Sequence, residues 1–546
     1  MRPVNAATLF TPPEAAYATF GEAAPARNRV RFLAVGLFAM LLLLAGRAVQ
    51  LAFAGDPLAE PRPVAVAATT RADIVDRNGV LLVTTVRAYA LTATPSRVWN
   101  GEETADALHR IFPELDRAAT VRRLGDTSRQ LVYLRRSLSE EDRANVHALG
   151  LAGIGFEAED RRIYPQGAMA GHTLGFTDVD LNPLAGVERG LDRQIREAGA
   201  AGRAVRLSLD VRMQYALETE LDASARAAGA SSAAGILLDA RTGEALALAS
   251  WPRFDPNDAG AASDNSRRDH VAGDVHELGS TIKPFTVAMA LQEEVTTSGE
   301  LFVVSQPFEL DGTIIQDHEP IAGITSLRDI LARSSNIGAA RLALRLGGAR
   351  QRAYLERLGL TQATRLELGF NEAPLAPHAR GRRDVAGLGF GYGLAATPAA
   401  LAGAYTVFAN RGALVAPTLI ARAPDAEVER TQVFTPEVTR QVLAYMRAAV
   451  VDGTGRAADV PGLAVAGKTG TAEKLGEESV YDDSRNFSSF AGVFPAHDPR
   501  YVIVVALDDT GEGAAGGMVA APVVARTLRR IAPMLGLRVE PGAPAR

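Results

Sequence analysis

A serine and a lysine three residues apart are the first pair in this chain that could do chemistry together. Ser280 and Lys283 lie in the stretch ELGSTIKPF, and on a helix the positions i and i+3 share a face, so the amine can reach the hydroxyl. A serine becomes a good nucleophile when a neighbouring base removes its proton, and a buried lysine with a lowered pKa can be that base. A helix cap beside a solvated charge is the alternative, so the pair alone leaves the chemistry open.

Lysine is rare in this chain, which makes each lysine informative. Of the 58 basic residues only Lys283, Lys468 and Lys474 are lysines, and the others are arginines. Arginine stays protonated in proteins, whereas a buried lysine can lose its proton. A lysine here is therefore a candidate for a role that arginine cannot fill.

The stretch around Lys468, GLAVAGKTGT, matches the phosphate-binding pattern G-x-x-x-x-G-K-[ST] but has the composition of a strand. A phosphate-binding loop needs mobile backbone before its lysine and a helix after it. Here Leu-Ala-Val-Ala precedes the lysine, and Gly470 is a poor start for a helix. We therefore place Lys468, Thr469, Gly470 and Thr471 on an edge strand that lines a cleft, where Gly470 leaves the face open to a substrate backbone.

A third motif lies between the other two. Ser334 and Asn336 stand in LARSSNIGAARLA at the start of a helical pattern, where a capping role is the simplest local explanation. In the order S-x-x-K, S-x-N and K-T-G, however, the three motifs form the signature of penicillin-recognising serine acyltransferases. The spacings, 54 residues from Ser280 to Ser334 and 134 from Ser334 to Lys468, also fit that superfamily. Two of the three lysines occupy the two positions where the signature requires lysine.

The overall composition excludes several classes of function. The net charge is -5 and the sequence pI is about 6.0, which does not favour nucleic acid as a partner. The chain has no cysteine, so disulfides and thiolate metal sites are impossible. The eight histidines lack metal-ligand spacing. We therefore expect neither a metal nor a cofactor.

An apolar segment near the N-terminus predicts a membrane anchor. It runs from Phe32 to Phe53, and about 20 residues of helix cover the ~30 Å hydrocarbon layer. Arginines at positions 27, 29 and 31 predict a cytoplasmic N-terminus and an exported remainder. A cleaved signal peptide is the alternative, but such signals usually total about 15–30 residues, and this one would need 54.

The elements that follow predict an α+β fold in two exported parts. Short strands and charged amphipathic helices suggest an elongated α+β unit first. Strands, then long helical patterns, then strands again are typical of an antiparallel sheet with helical layers. The predicted organisation is a cytoplasmic tail (1–31), a transmembrane anchor (32–53), a linker (54–70), a pedestal domain (71–230) and a catalytic domain (231–540).

From the anchor to the last helix, the chain resembles the class B penicillin-binding proteins, which are membrane-anchored peptidoglycan D,D-transpeptidases. RADIVDRNG is similar to their first pedestal motif, with Ala72 where glycine is usual. The segments HTLGFTDVD, AGVERG and AGKTGTAEK most resemble those of the division-specific, FtsI-type branch of this family. Leu278 replaces a usual proline, and the strand connection after Asp509 is short, but neither departure touches the reacting groups.

The resemblance implies roles for the catalytic residues. Ser280 attacks the carbonyl of a D-Ala-D-Ala stem peptide, and Lys283 takes its proton. Backbone N–H groups of Ser280 and Thr471 form the oxyanion hole. Ser334, near Lys283 and Lys468, relays a proton to the leaving D-Ala.

The resemblance also implies how the ligands are bound. Asn336 binds the amide carbonyl of the substrate, and Lys468, Thr469 and Thr471, with Gly470 between the threonines, hold its terminal carboxylate. An amine from a neighbouring stem peptide then completes the cross-link, and β-lactams stall as the acyl-enzyme. The implied partners are a membrane-embedded glycosyltransferase and other division proteins, at the septum in the bacterial inner membrane, with the catalytic domain in the periplasm.

Four other functions compete with this one. The elongation-specific sibling transpeptidase is the nearest rival. A β-lactamase would share all three motifs but needs a hydrolytic base and neither an anchor nor a pedestal. A membrane β-lactam sensor needs a signalling domain, for which the predicted tail of 31 residues leaves no room. A catalytically silent scaffold would not need both the serine and the lysine.

Overall fold

The computed structural model of the chain describes residues 24–54, 70–375, 381–475, 481–511 and 515–539. It divides into two compact units, Met1–Ala65 and Val66–Arg546. The first unit holds helix α1 (Ala24–Ala54), on which the predicted anchor lies. No helix in the described part of the chain has both the length and the hydropathy needed to span a membrane. Most of the predicted tail and linker, residues 1–23 and 55–69, lies outside the described residues.

The second unit begins with a small sheet and short helices, in the region predicted to be the pedestal. These elements are β1 (Ile74–Val75), β2 (Leu81–Ala93), α2 (Gly101–Ile111), α3 (Arg117–Gly125), β3 (Val132–Leu138), α4 (Glu140–Ala148), β4 (Ile154–Ile163), α5 (Gly171–Leu174), α6 (Gly186–Gly190), α7 (Asp192–Ala200) and β5 (Val205–Arg206). The strand order is β3-β2-β1-β5, and β4 also pairs with β2. A separate core forms where Leu91 of β2 packs with Leu108 of α2 and Val132 of β3.

A buried group of charges ties distant parts of this region together. Arg71, before β1, donates from Nε to the Glu188 carboxylate on α6 at 3.0 Å, and Arg162 on β4 donates to the other oxygen of Glu188 at 2.8 Å. The side chains of Arg71 and Glu188 are fully buried. A buried charge needs such partners because its desolvation is otherwise uncompensated. The three residues therefore hold α6 to the segment before β1 and to strand β4.

The larger part of the unit carries the three motifs. Its elements are α8 (Val211–Ala228), β6 (Ser232–Asp239), β7 (Ala245–Trp251), α9 (Asp264–Arg267), β8 (His276–Glu277), α10 (Lys283–Gln292), β9 (Leu301–Val303), β10 (Phe308–Leu310), β11 (Thr313–Ile315), β12 (Ile324–Ser326), α11 (Leu327–Ala332), α12 (Asn336–Leu346), α13 (Gly348–Arg357), α14 (Arg382–Leu388), β13 (Ala395–Ala396), α15 (Pro398–Ala409), β14 (Ala413–Leu414), β15 (Thr431–Gln432), α16 (Pro436–Val451), β16 (Ala466–Leu475), β17 (Tyr481–Phe494), β18 (Tyr501–Asp508) and α17 (Gly516–Ile531).

An antiparallel five-stranded sheet, in the order β16-β17-β18-β6-β7, organises this part. Side chains alternate between its faces. Leu237 and Ile503 join the core formed with α8 and α17, whereas Ile236 and Val504 join the core formed with α10, α15 and α16. Helices thus cover both faces, so every residue of β6 and β18 is buried. The predicted α+β class, with an antiparallel sheet between helical layers, is confirmed, and β16 lies at the edge of the sheet.

Candidate active site

Ser280 lies on a tight turn that leads from strand β8 into helix α10. The turn is a 3₁₀ helix over Gly279–Ile282. Gly279 has a φ of +49° and donates its N–H to the carbonyl of Gly391 at 3.2 Å. Gly391 has a φ of +100°, and a Cβ there would lie 2.0 Å from the Gly279 carbonyl oxygen. Gly391 must therefore be glycine, and the contact between the two backbones fixes the turn that carries Ser280.

Ser334 connects Ser280 to Lys283. Its hydroxyl lies 2.9 Å from Ser280 Oγ and 3.1 Å from Lys283 Nζ. The amine also bonds the Ser334 carbonyl at 2.6 Å and Asn336 Oδ1 at 2.7 Å. Among the described residues, the amine makes no direct hydrogen bond to Ser280 Oγ. The i, i+3 spacing thus places the two residues in one site, but the contact runs through a third residue from another motif.

The backbone of Ser334 is in the left-handed region, with a φ of +62°. Residues with a side chain adopt this conformation infrequently, and it costs about 1–3 kcal/mol unless the surroundings impose it. Here Asp317 helps to impose it, since its carboxylate accepts from Ser335 Oγ at 2.7 Å and from the N–H of Ile337 at 3.0 Å. Both the carbonyl and the hydroxyl of Ser334 are thereby turned toward Lys283.

The two lysines of the motifs are both buried, with no exposed surface. Burial lowers the pKa of Lys283 well below its usual value, the nearby charge of Lys468 lowers it further, and Asp317 acts in the opposite direction. Burial also lowers the pKa of Lys468 to about 7. The cleft therefore contains one lysine, Lys283, that favours the neutral form, and a second, Lys468, that changes its protonation near neutral pH.

Lys468 and Thr469 lie on β16, and both contact the hydroxyl of Thr454, which follows α16. Lys468 Nζ donates to the Thr469 carbonyl at 3.0 Å and to its hydroxyl at 3.3 Å, and it lies 3.5 Å from Thr454 Oγ1. The hydroxyls of Thr454 and Thr469 share a hydrogen bond of 2.7 Å. Lys468 therefore lies on an edge strand, and the hydroxyls of Thr454 and Thr469 lie close to its Nζ at one end of the cleft.

Gly470 and Thr471 continue the same strand past Ser280. A Cβ on Gly470 would lie 2.4 Å from Ser489 Oγ and 2.9 Å from Thr281 Cγ2. The space that the sequence led us to expect open for substrate is therefore filled by the protein itself, because the turn packs directly on β16. Thr471 is exposed, and its hydroxyl accepts from the N–H of Gly516 at 3.1 Å.

No motif in the sequence identifies Asp317, Thr454 or Gly391 as part of the site. Asp317 lies in a loop without a motif, and only its contacts across the fold place it here. Thr454 lies in VDGTGRAA and Gly391 in GLGFGYG, and such glycine-rich segments signal close backbone approach. Within the described ranges, no group of three metal-ligating side chains forms.

Two family profiles match the chain. The profile described as penicillin binding protein transpeptidase domain matches residues 233–529. The profile described as penicillin-binding protein dimerisation domain matches residues 66–196. Together they span both parts of the second unit.

Relatives resemble the chain over most of its length. A protein of Caulobacter vibrioides named "Probable peptidoglycan D,D-transpeptidase FtsI" is 39% identical over 489 residues, which are 86% of this chain and 82% of that protein. The "Peptidoglycan D,D-transpeptidase FtsI" of Escherichia coli K12 is 30% identical over 510 residues, 87% of this chain and 85% of that protein. The crystal structure of penicillin-binding protein 3 from Mycobacterium tuberculosis, complexed with aztreonam, superposes with a TM-score of 0.67 at 25% identity and covers 87% of this chain and 98% of that one.

Proposed function

Because the chain belongs to the class B penicillin-binding proteins, and is a peptidoglycan D,D-transpeptidase of the division-specific type, we propose that it forms its acyl-enzyme on Ser280. The observation that carries this proposal is the hydrogen-bonded series Ser280 Oγ, Ser334 Oγ and Lys283 Nζ, with separations of 2.9 and 3.1 Å. These distances are within the range for proton transfer through hydroxyl groups.

Lys283 Nζ donates to three acceptors, the Ser334 carbonyl at 2.6 Å, Asn336 Oδ1 at 2.7 Å and Ser334 Oγ at 3.1 Å, and Ser334 Oγ in turn donates to Ser280 Oγ. A neutral amine has only two N–H donors and one lone pair. When Lys283 is neutral, its two protons can stay on the Ser334 carbonyl and Asn336 Oδ1, and its lone pair can take the proton of the Ser334 hydroxyl once that hydroxyl turns toward it. Ser334 Oγ can then accept the proton of Ser280. Lys283 is thus the base that activates the nucleophile, with Ser334 as the relay.

The reaction proceeds in two transfers. Ser280 Oγ attacks the carbonyl carbon of the penultimate D-Ala, and the oxyanion forms beside the N–H groups of Ser280 and Thr471. The C–N bond to the terminal D-Ala breaks while its nitrogen takes the proton back through Ser334. An amine of a second stem peptide then attacks the ester, gives up a proton by the same route and releases Ser280. A β-lactam acylates the same oxygen but keeps its leaving group attached.

Four residues are proposed to hold the substrate. Asn336 Nδ2 has two protons, one of which is donated to the Gln316 carbonyl at 3.1 Å, which leaves the other for an amide carbonyl of the donor peptide. The ammonium of Lys468 and the hydroxyls of Thr469 and Thr471 are proposed to bind the terminal carboxylate, which charge-assisted hydrogen bonds favour.

We propose that the apolar run 32–53, with its preceding arginines, anchors the protein in the inner membrane with the catalytic part in the periplasm. The partners proposed there are a membrane-embedded glycosyltransferase and other division proteins, and the domain boundaries at 71, 231 and 540 remain part of this proposal. Fractionation of cells and protease protection of spheroplasts test the location. Full recovery in the soluble fraction would contradict it.

Labelling with a fluorescent penicillin tests the nucleophile. We expect one covalent adduct, located on Ser280 by mass spectrometry and absent from Ser280→Ala. Ser334→Ala should still form the adduct, but slowly, because the relay is missing. An adduct on Ser334 would refute the proposed mechanism, and rapid spontaneous release of the adduct would identify a β-lactamase instead.

A further inference from the structure

A buried tyrosine on helix α15 contacts the turn that carries Ser280. Tyr405 has no exposed surface, and its hydroxyl donates to the carbonyl of Thr281 at 2.8 Å. Thr281 is the residue directly after Ser280. A buried hydroxyl without a partner costs about 1–3 kcal/mol, so this hydrogen bond allows a tyrosine to be buried where its ring packs against Phe285 and Phe408.

The ring of the same tyrosine contacts the other side of the S-x-x-K motif. It packs edge-on against Phe285 on α10, with ring centroids 5.2 Å apart and an interplanar angle of 88°. Tyr405 therefore touches the 3₁₀ turn with its hydroxyl and the α-helix with its ring. Between these two contacts lies the junction at Lys283, where the backbone changes from one helix type to the other.

The geometry of this junction determines where Ser280 lies relative to Lys283. In a 3₁₀ turn, residues i and i+3 are nearly eclipsed, whereas in an α-helix they are offset. Pro284 has no N–H, so it cannot extend the α-helical hydrogen bonding back to Ser280, and the turn is closed by the N–H of Lys283 to the Ser280 carbonyl. The turn consequently relies on external contacts for its shape.

We propose that Tyr405 is a positioning residue for the acylation step: it holds the 3₁₀-to-α junction so that Ser280 Oγ stays within reach of the Ser334 relay. Burial raises the pKa of Tyr405 well above its usual value, so the hydroxyl remains a donor throughout the working pH range. The inference rests on Ser280 being the nucleophile, which the location of the penicillin adduct in the wild-type protein tests separately.

The test measures the two steps of inhibition in the full-length chain. Stopped-flow kinetics with a fluorescent penicillin separate the dissociation constant of the initial complex from the acylation rate constant. In Tyr405→Phe the ring contacts remain and only the hydroxyl is lost. We expect the acylation rate constant to fall about tenfold, since small misplacements of reacting groups have effects of this order, while the dissociation constant changes less than about twofold.

Tyr354→Phe is the matched control. Tyr354 is also a buried aromatic residue, stacked on Phe434, and its hydroxyl donates to Glu293 at 2.7 Å, away from the turn. We expect this variant to lose thermal stability comparably but to acylate like the wild type. If the acylation rate constant fell equally in both variants, general destabilisation would explain the effect of Tyr405→Phe, and the proposal would be overturned. So would an unchanged rate in Tyr405→Phe.

A second variant covers the case in which Tyr405→Phe does not fold. Phe285→Leu removes the edge-on partner of Tyr405 and keeps an apolar side chain in the core. It should also lower the acylation rate constant at an unchanged dissociation constant. A wild-type rate in this variant would overturn the proposal from the other side of the junction.

Discussion

At the scale of single residues, the proposed mechanism gives different tasks to two buried lysines. Lys283 must be neutral to accept a proton, and Lys468 must be charged to attract a carboxylate. Burial disfavours the charged form of both lysines. For Lys283, repulsion from the charge of Lys468 is the second cause of the lowered pKa, after burial. In this proposal, the cleft holds a base, Lys283, and a cation, Lys468, and both are lysines.

Replacing Lys283 by arginine tests the base. Arginine keeps the positive charge but stays protonated in proteins, so Lys283→Arg should fold while acylating several orders of magnitude more slowly, since general-base assistance is worth about 10²–10⁴-fold. Pre-steady-state labelling with a fluorescent penicillin measures the rate. Lys474→Arg, at the lysine outside the three motifs, should acylate normally. If Lys283→Arg were equally fast, the base would be another group.

The charge of Lys468 predicts how ligand binding depends on pH. Burial lowers the pKa of Lys468 to about 7, so the ammonium form is present below that pH and is lost as the pH rises through it. A penicillin keeps its carboxylate ionised throughout. We expect the dissociation constant of the initial complex to increase from pH 6 to about pH 8.5, because the attracting charge disappears. A dissociation constant that does not vary with pH would remove Lys468 from the carboxylate site.

At the scale of elements, the parts of the site that short-range patterns encode could be predicted from the sequence. The strand around Lys468 is indicated by its apolar run, and Ser280 and Lys283 by their spacing. The left-handed backbone of Ser334 could not be predicted, because Asp317, which helps to impose it, lies in a separate loop that carries no motif. The open face expected at Gly470 was wrong for a similar reason, since Thr281 and Ser489 fill it from two other elements.

Gly470→Ala tests this contact between elements. The new Cβ would approach Ser489 Oγ to 2.4 Å, so β16 and the turn must move apart. We expect the free energy of unfolding to fall by about 1–3 kcal/mol and acylation to slow.

Adding Ser489→Ala to Gly470→Ala removes the nearest atom and should recover part of both losses, as a double-mutant cycle would reveal. Gly125→Ala, where a Cβ meets nothing within 4 Å, controls for the change of residue type. If Gly470→Ala behaved like Gly125→Ala in denaturant titration and labelling, the close packing would have no energetic weight.

At the scale of the whole molecule, the charges around Glu188 join segments that are far apart in the chain. Arg71 and Glu188 are separated by 117 positions and are both fully buried. Such a group adds little net stability compared with an apolar replacement, but the loss of one partner leaves the others uncompensated. The integrity of this region therefore depends on the complete set of charges.

Glu188→Gln should lower the free energy of unfolding by about 3–5 kcal/mol. Buried Arg162 loses its counter-charge, and buried Arg71 loses its buried carboxylate partner and keeps the partly exposed Asp192. Urea titration followed by circular dichroism measures it. Glu197→Gln is the matched control, since Glu197 and Arg193 form an exposed pair at 4.0 Å, and such pairs contribute about 0–1 kcal/mol. Equal effects of the two substitutions would show that the buried group has no special weight.

The turn that carries Ser280 also has a consequence for how the protein can change under selection by β-lactams. Its amides at Leu278 and Gly279 bond the carbonyls of Leu394 and Gly391, and every substitution except proline leaves the backbone N–H and carbonyl in place. At Gly391 every other amino acid collides with the turn. We therefore expect that substitutions which confer resistance and keep the enzyme active will not disrupt these backbone hydrogen bonds. They should instead change side chains near Lys468 and Thr469, such as Thr454.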